Sequence, residues 1–489
     1  MSEPQDFPPP SAQAMERFAA IVGDEHVITD EAAMRPYLRE WRDKYVGRAA
    51  CVLRPGTEEE VAAILAVAAR HNVAIVPQGG NTGLVGGQIP FDGGNEVVLS
   101  TARLNRILDI DTIGSTMTLQ SGVILADAQA AARKAGFEFP IDLAASGSCM
   151  VGGNLATNAG GLNVIAYGVA RENCLALRAA IPRAEARDNP QVALLGCLSA
   201  LRKDNTGYDL RDVFIGSEGT LGIITAAVMK IFPAFTDTAL AWLAVPTPRE
   251  ATALISFIRA RAERSRITAL ELVCRIGIDF ATRHLELRAP FDEPADWYVL
   301  LELSARGAAG TAMADMERIL EAAFEEGLIT DAALAQNAAQ REAFWRLREG
   351  MSEAQKHEGG SIKSDISVPL AKIPEMIERG TAEVLKIVPG ARPVPFGHLG
   401  DGNLHFNISQ PEDWKREDFL ARWEDITTAI NEVALSLGGS ISAEHGIGRM
   451  KRHWMARIHT PEEIAAMRAM KAHFDPAGIM NPGKLLPGR

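Results

Sequence analysis

Two hydrophobic periods run along this chain, a helical one and a strand one, and they change partners near residue 235. After a loose tail at 1–10, apolar positions at helical spacing predict helices over 11–22 and 31–45. Cys51–Leu53 reads as a short strand. Thr57 and Glu60 form a capping box that opens a helix over 61–71, and 73–77 is the next strand. Past 235 come predicted strands at 239–245, 269–273 and 297–303, with helices at 248–262 and 310–326 between them. Helices packed on one face of an antiparallel sheet are an α+β arrangement. The pattern divides the chain into a helical segment 1–45, a domain over 46–234, a second over 235–430, and a closing segment 431–489 that returns to the first.

Three stretches break both periods with glycine and small polar residues. They are 78–87, 147–161 and 216–222, the last after a strand-like Val213, Phe214, Ile215. Glycine lets backbone N–H groups approach a phosphate closely. The first stretch lacks G-x-G-x-x-G and G-K-[ST], so it is neither a Rossmann fingerprint nor a P-loop. Three such loops suit a long cofactor held by backbone at several points.

A fourth stretch carries different chemistry. His398 and His405 flank Asp401-Gly402, a two-residue hairpin signal. That turn would set 398 opposite 405, with Cβ atoms roughly 4.5–5.5 Å apart, and Asn407 on the same face. Glu444 and His445 share a glycine-bounded loop. Two histidines and Glu444 make an open metal site, and His445, diverging from its neighbour, is left as a general base. Zinc suits this set best; manganese, iron and cobalt also fit. Arg348 and Ser352 are four apart in a helical stretch over 341–355. Lys363 and Asp365 share one face of a strand-like 361–368.

Composition narrows the reading. A net charge of -12 argues against a nucleic-acid footprint. The five cysteines contain no C-x-x-C pair, which argues against a cysteine-held cluster or zinc within the chain and leaves reduced thiols in a cytoplasmic setting as the expectation. The N-terminus has no basic region followed by an apolar one, so no secretory signal is expected, and no apolar run approaches the ~18 residues of a spanning helix.

The glycine loops, the run from Pro140 to Gly161, the Gly216–Thr225 stretch and the closing 475–484 segment together resemble the flavin-binding proteins of the vanillyl-alcohol oxidase type. Within them the chain is similar to FAD-dependent D-2-hydroxyacid dehydrogenases, D-2-hydroxyglutarate more closely than D-lactate, from about residue 40 onward. The resemblance implies a PCMH-type FAD-binding domain with an α+β cap. It implies noncovalent FAD held by Pro77, Gln78, Gly79, Gly80, Asn81, Thr82, Gly83, Gly86, Gly87, Asp142, Ser148, Gly152, Gly153, Asn154, Thr157, Asn158, Gly160, Gly161, Glu218, Gly219, Gly222, Ile223, Ile224 and Asn481. It assigns His398, His405 and Glu444 as metal ligands, His445 as base, and Arg348, Ser352 and Lys363, with Asn407, to the substrate carboxylate. An external electron acceptor, an electron-transfer flavoprotein or a quinone, is implied, and a homodimer is allowed for. The stretch 177–190 departs from the family pattern and reads as a polar loop; Ala144, Ala145 and Ser146 are a smaller departure. A metal-dependent hydrolase, an electron-relay subunit and an alkylglycerone-phosphate synthase are the competing readings.

Overall fold

In the computed structural model, which describes residues 7–184 and 193–488, the chain forms two units. One comprises Met1–Gly161, Tyr167–Pro233 and Glu444–Arg489; the other comprises Leu162–Ala166 and Ala234–Ala443. The return to the first unit thus begins at Glu444, not at 431. The helix Trp423–Ser436 buries Ile426, Ile430, Val433 and Ala434 in the core of the second unit, which keeps 431–443 there.

The first unit holds two main sheets. A four-stranded sheet runs Val27–Ile28, Cys51–Leu53, Val97–Ser100, Ile75–Gln78, and its last three strands are parallel. Parallel strands need a crossover, supplied by the helix Glu58–His71, which buries Val61, Ile64, Leu65 and Val67. Thr57 caps that helix through Glu60 N–H, but the Glu60 carboxylate reaches back to Gly56 N–H (2.7 Å) and not to the capping residue. The C-terminal segment extends the sheet edge: Ile75 N–H donates to Ile479 O (2.8 Å) and Asn481 N–H to Ile75 O (2.8 Å). The second sheet is antiparallel, in the order Ile107–Asp111, Thr116–Gln120, Ile223–Lys230, Cys174–Ala180, Leu194–Leu195.

Several local expectations change here. Residues 177–180 are strand, not loop, paired with Ile223–Lys230 and with Leu194–Leu195; the 185–190 part of that expectation lies outside the described residues. Val213 and Phe214 are in a short helix, Arg211–Phe214, that buries the Phe214 ring. The second predicted N-terminal helix ends at Leu38. In the tail, residues 1–6 lie outside the described part, while Phe7 is buried and its carbonyl accepts from Asn95 Nδ2 (2.9 Å).

The second unit is built on a seven-stranded antiparallel sheet, in the order Asp331–Leu334, Asp237–Val245, Trp297–Ala305, Ser265–Cys274, Arg392–His398, Asn403–Ser409, Ser361–Ser367. One face packs under the helices Pro248–Arg259, Thr311–Glu325, Ile373–Ile387 and Trp423–Ser436. The other is not bare, as one-sided packing would have it. The helices Arg275–His284 and Ala338–Glu349 cover part of it, burying Phe280 and Leu347 against Trp242, Tyr298 and Leu300. The remainder of that face is polar, and it carries the histidines.

Candidate active site

In the first unit the glycine-rich loops line a cleft that opens to solvent. Its wall includes Pro77, Gln78, Gly79, Gly80, Asn81, Thr82, Gly83, Gly87, Gly152, Gly153, Asn154, Thr157, Glu218, Gly219, Gly222, Ile223, Ile224 and Asn481, all expected there, together with His445. It also includes Val85, Gln88, Thr101, Cys149, Met150, Ala156 and Ser217, which the sequence reading missed. Most of these are neighbours of the motif residues and could have been found by extending each loop.

Gly86, Asp142, Ser148, Asn158, Gly160 and Gly161 are not in the wall. Several hold the loops from behind. The Asn158 side chain accepts from Arg171 N–H (3.0 Å), Asp142 bridges Gly161, and the Ser148 carbonyl lies where a Cβ on Gly80 would be, 1.9 Å away. A Cβ on Gly153, by contrast, would meet nothing within 4 Å and would project into open space. Small residues, close backbone and that open position fit an extended flavin nucleotide.

The loop carrying Glu444 and His445 is fixed within the same unit. Glu218 receives Ile447 N–H on one carboxylate oxygen and Gly448 N–H on the other, both at 2.7 Å. Burial pushes the Glu218 carboxyl above its ordinary range, and the two backbone donors pull it back only in part. One Glu444 oxygen accepts from Gly161 N–H (2.9 Å). Gly446 has φ +79°, and a Cβ there would sit 2.7 Å from the Glu218 carboxylate, so glycine is required.

In the second unit the hairpin forms with a different register. Phe396 lies opposite His405 and Val394 opposite Asn407, so His398 is diagonal to His405 and not directly across. The loop between the strands is four residues, 399–402, because buried Leu399 and Gly400 join Asp401 and Gly402 in it. The two imidazoles still converge, with ring centroids 5.3 Å apart and nearly perpendicular. Lys363 pairs with Asn407 and Asp365 with His405, which puts all four on the His398 face.

Arg348 and Ser352 do not share a helical face. The helix breaks at Gly350, leaving Arg348 buried and Ser352 exposed on the next turn. Arg348 donates through Nε (2.9 Å) and Nη2 (2.5 Å) to Glu271, which the sequence reading did not single out. His398 Nδ1–H donates to the other Glu271 oxygen at 2.7 Å. Burial alone would raise the Glu271 carboxyl, but His398 and Arg348 together bring it down to about 2. A histidine with a carboxylate behind it is the usual metal-binding arrangement. Asn407 Nδ2 donates to Gln355 (3.0 Å), and Lys363 Nζ lies 3.4 Å from the Ser352 carbonyl. On these observations the histidine pair fits a divalent metal.

Residues 49–188 match the FAD binding domain family and residues 236–485 the C-terminal domain of FAD linked oxidases. A D-2-hydroxyglutarate dehydrogenase of Xanthomonas citri is 37% identical over 94% of this chain and 93% of its own. The mitochondrial D-2-hydroxyglutarate dehydrogenase of Arabidopsis thaliana is 36% identical over 96% of this chain and 81% of its own. The chain belongs to the D-2-hydroxyglutarate dehydrogenase family of FAD-linked oxidases. The fold is also that of p-cresol methylhydroxylase, with a TM-score of 0.72 at 15% identity over 97% of this chain and 96% of that one. An alkyldihydroxyacetonephosphate synthase shares it at TM-score 0.70 and 18% identity, covering 99% and 86% of the two chains. Among the described residues no helix is long and apolar enough to cross a membrane.

Proposed function

We propose that the chain oxidises D-2-hydroxyglutarate to the 2-oxoacid, using noncovalent FAD and one divalent metal, zinc by preference. The observation that carries the reading is His445 in the wall of the flavin cleft. A proton acceptor there is placed to act beside the flavin. The flavin, when bound, supplies the hydride acceptor at N5, and the metal, when bound, acidifies the substrate hydroxyl.

In this reading His398 and His405 would hold the metal, and the sequence assigns Glu444 as the third ligand. His445 takes the hydroxyl proton. Lys363, Asn407, Ser352 and Arg348 receive the substrate carboxylates, where a planar guanidinium or an ammonium suits the charge. Their shared task is to orient Cα, since a reactant held in place loses much of its entropic barrier. Electrons then pass to an external carrier, an electron-transfer flavoprotein or a quinone.

A second reading, a monocarboxylate such as D-lactate, draws on one observation: Arg348 already gives Nε and Nη2 to Glu271, which weakens the case for a dedicated distal-carboxylate site. The test is anaerobic stopped-flow of the yellow protein with D-2-hydroxyglutarate, its L-enantiomer, D-lactate and D-malate, with and without chelator. Rapid bleaching by D-2-hydroxyglutarate alone, abolished by chelator, supports the proposal. Faster bleaching by D-lactate or D-malate would replace its substrate, and no bleaching by any hydroxyacid would remove the redox reading.

A further inference from the structure

The face of the second unit's sheet that carries His398 also carries two charges that need a reason to be buried. Glu271 is 1% exposed and Arg348 7%. An ion pair in such a place is weak evidence for stability, because desolvation offsets the attraction. Its geometry is more informative than its energy.

Glu271 and His398 are direct cross-strand partners. One Glu271 oxygen faces His398 Nδ1 at 2.7 Å, and both Arg348 donors converge on the other. A carboxylate can only accept, so Nδ1 carries the proton and the lone pair of the neutral ring lies on Nε2. Arg348 is itself fixed, with its guanidinium carbon 4.8 Å from the centroid of the Phe396 ring. The other histidine is treated differently: its Nδ1 is 3.9 Å from Asp365.

We propose that Glu271 is a positioning residue for the metal, locking His398 in the tautomer and ring orientation that present Nε2, and that Arg348 acts on the site through Glu271. This rests on the metal-dependent reading above and deepens it. It gives Arg348 a task in the absence of substrate. Glu271 also makes the imidazole more electron-rich, as a carboxylate behind a metal-binding histidine does.

The test measures metal binding without turnover. FAD-loaded protein is stripped with a chelator, and Zn²⁺ is titrated back in competition with a chromophoric chelator. Wild type, Glu271→Gln, Arg348→Met and His398→Ala are compared, with flavin absorbance and melting temperature recorded for each. Glu271→Gln is expected to weaken Zn²⁺ binding by about 10–100-fold, with flavin retained. Arg348→Met should weaken it in the same direction with no substrate present, and the Co²⁺ absorption spectra of both should differ from wild type. If Glu271→Gln does not fold, Glu271→Gln combined with Arg348→Met removes the charge pair and serves in its place. A folded variant that binds Zn²⁺ as wild type does, while His398→Ala loses it, overturns the positioning role and leaves the metal site standing. Unchanged Zn²⁺ affinity in Arg348→Met with a raised KM overturns the part given to Arg348 and makes it a substrate contact alone. Wild type that takes up no metal, or His398→Ala that binds it normally, overturns the metal reading and the proposal together.

Discussion

Glu218→Gln tests whether the cleft needs the His445 loop held where it is. Glu218 accepts two backbone donors, from Ile447 and Gly448, at 2.7 Å each. Glutamine keeps the shape but offers one acceptor, and its NH₂ then faces an N–H. Hydrogen bonds to a charged group contribute about 1.5–3 kcal/mol each. The substitution loses one of them and opposes two donors, so the locked loop should be disfavoured by about 2–4 kcal/mol. Other ties remain: Glu444 to Gly161 N–H, Arg449 N–H to Val85 O (3.1 Å) and Leu485 N–H to Gly448 O (3.0 Å). The loop should therefore shift without unfolding, and a misplacement near 1 Å costs about 10²-fold in rate. We expect kcat to fall roughly 10–10²-fold, with KM for D-2-hydroxyglutarate changing much less and the flavin still bound.

Acid should imitate the substitution. The Glu218 carboxyl is raised above its ordinary value of 4.5 by burial. Because the folded chain holds this proton more tightly than the unfolded chain, the group favours folding below 4.5, and that contribution fades as pH rises through the raised value. Protonation also removes a full acceptor from the loop, so wild-type kcat should fall on the acid side before an ordinary carboxylate would titrate. Glu218→Gln should lack that limb. The assay is steady-state kinetics across pH beside flavin absorbance and thermal melting. Unchanged kcat and an unchanged acid limb in the variant would refute the clamp.

Other substitutions probe the same chain at different depths. Gly80→Ala would place a Cβ 1.9 Å from the Ser148 carbonyl and 2.9 Å from Cys149 Cα, which are backbone atoms and cannot swing away. Forcing them apart should cost at least about 1–3 kcal/mol, read as a lower melting temperature and faster flavin loss on gel filtration. His445→Ala should lower turnover by about 10²–10⁴-fold with flavin absorbance intact, and chelator treatment of wild type should stop bleaching by hydroxyacid without releasing flavin. Burial pushes the Lys484 ammonium down to about 8 from 10.5, with Glu96 pulling it back. Between those values the unfolded chain binds the proton more strongly, so stability should rise with pH across this window by an amount on the order of 3 kcal/mol. Urea unfolding at several pH values should show that slope, and Lys484→Met should flatten it.

The flavin cleft was legible because its signal is local: a run such as Gln78–Gly87 fits no strand or helix and so announces a loop wherever the fold puts it. What stayed hidden depends on contacts across the fold. Asn158 and Asp142 look like the wall residues beside them, yet they face Arg171 and Gly161 from behind. The hairpin register failed by two residues for a similar reason. Asp401-Gly402 is a sufficient two-residue turn on its own, but Leu399 is drawn into the core and opens the loop to four residues. A β-strand alternates strictly, so His398 and His405 still reached one face despite the error. Glu271 was invisible for the opposite reason. It is a lone acidic residue in an apolar strand, and only pairing of Ser265–Cys274 with Arg392–His398 reveals its partner.

Each unit holds a histidine through a carboxylate, Glu218 through the loop of His445 and Glu271 directly at His398, and the second device can be separated from stability by one further variant. Replacing Glu271 and Arg348 together by leucine and methionine removes a buried ion pair. Such replacements are often neutral or stabilising by about 1–4 kcal/mol. Against that stands the His398 Nδ1–H, which loses its acceptor in a buried setting at a cost of about 1–3 kcal/mol. The terms nearly cancel, so the double variant should melt within a few degrees of the metal-free wild type, by about 4 °C per kcal/mol at most for a unit of this size. If the pair were there to stabilise the sheet, the melting temperature would drop steeply and metal affinity would fall only with it. If it is there to orient His398, the melting temperature holds while Zn²⁺ affinity falls. Calorimetry of the metal-free protein beside a Zn²⁺ titration decides between them.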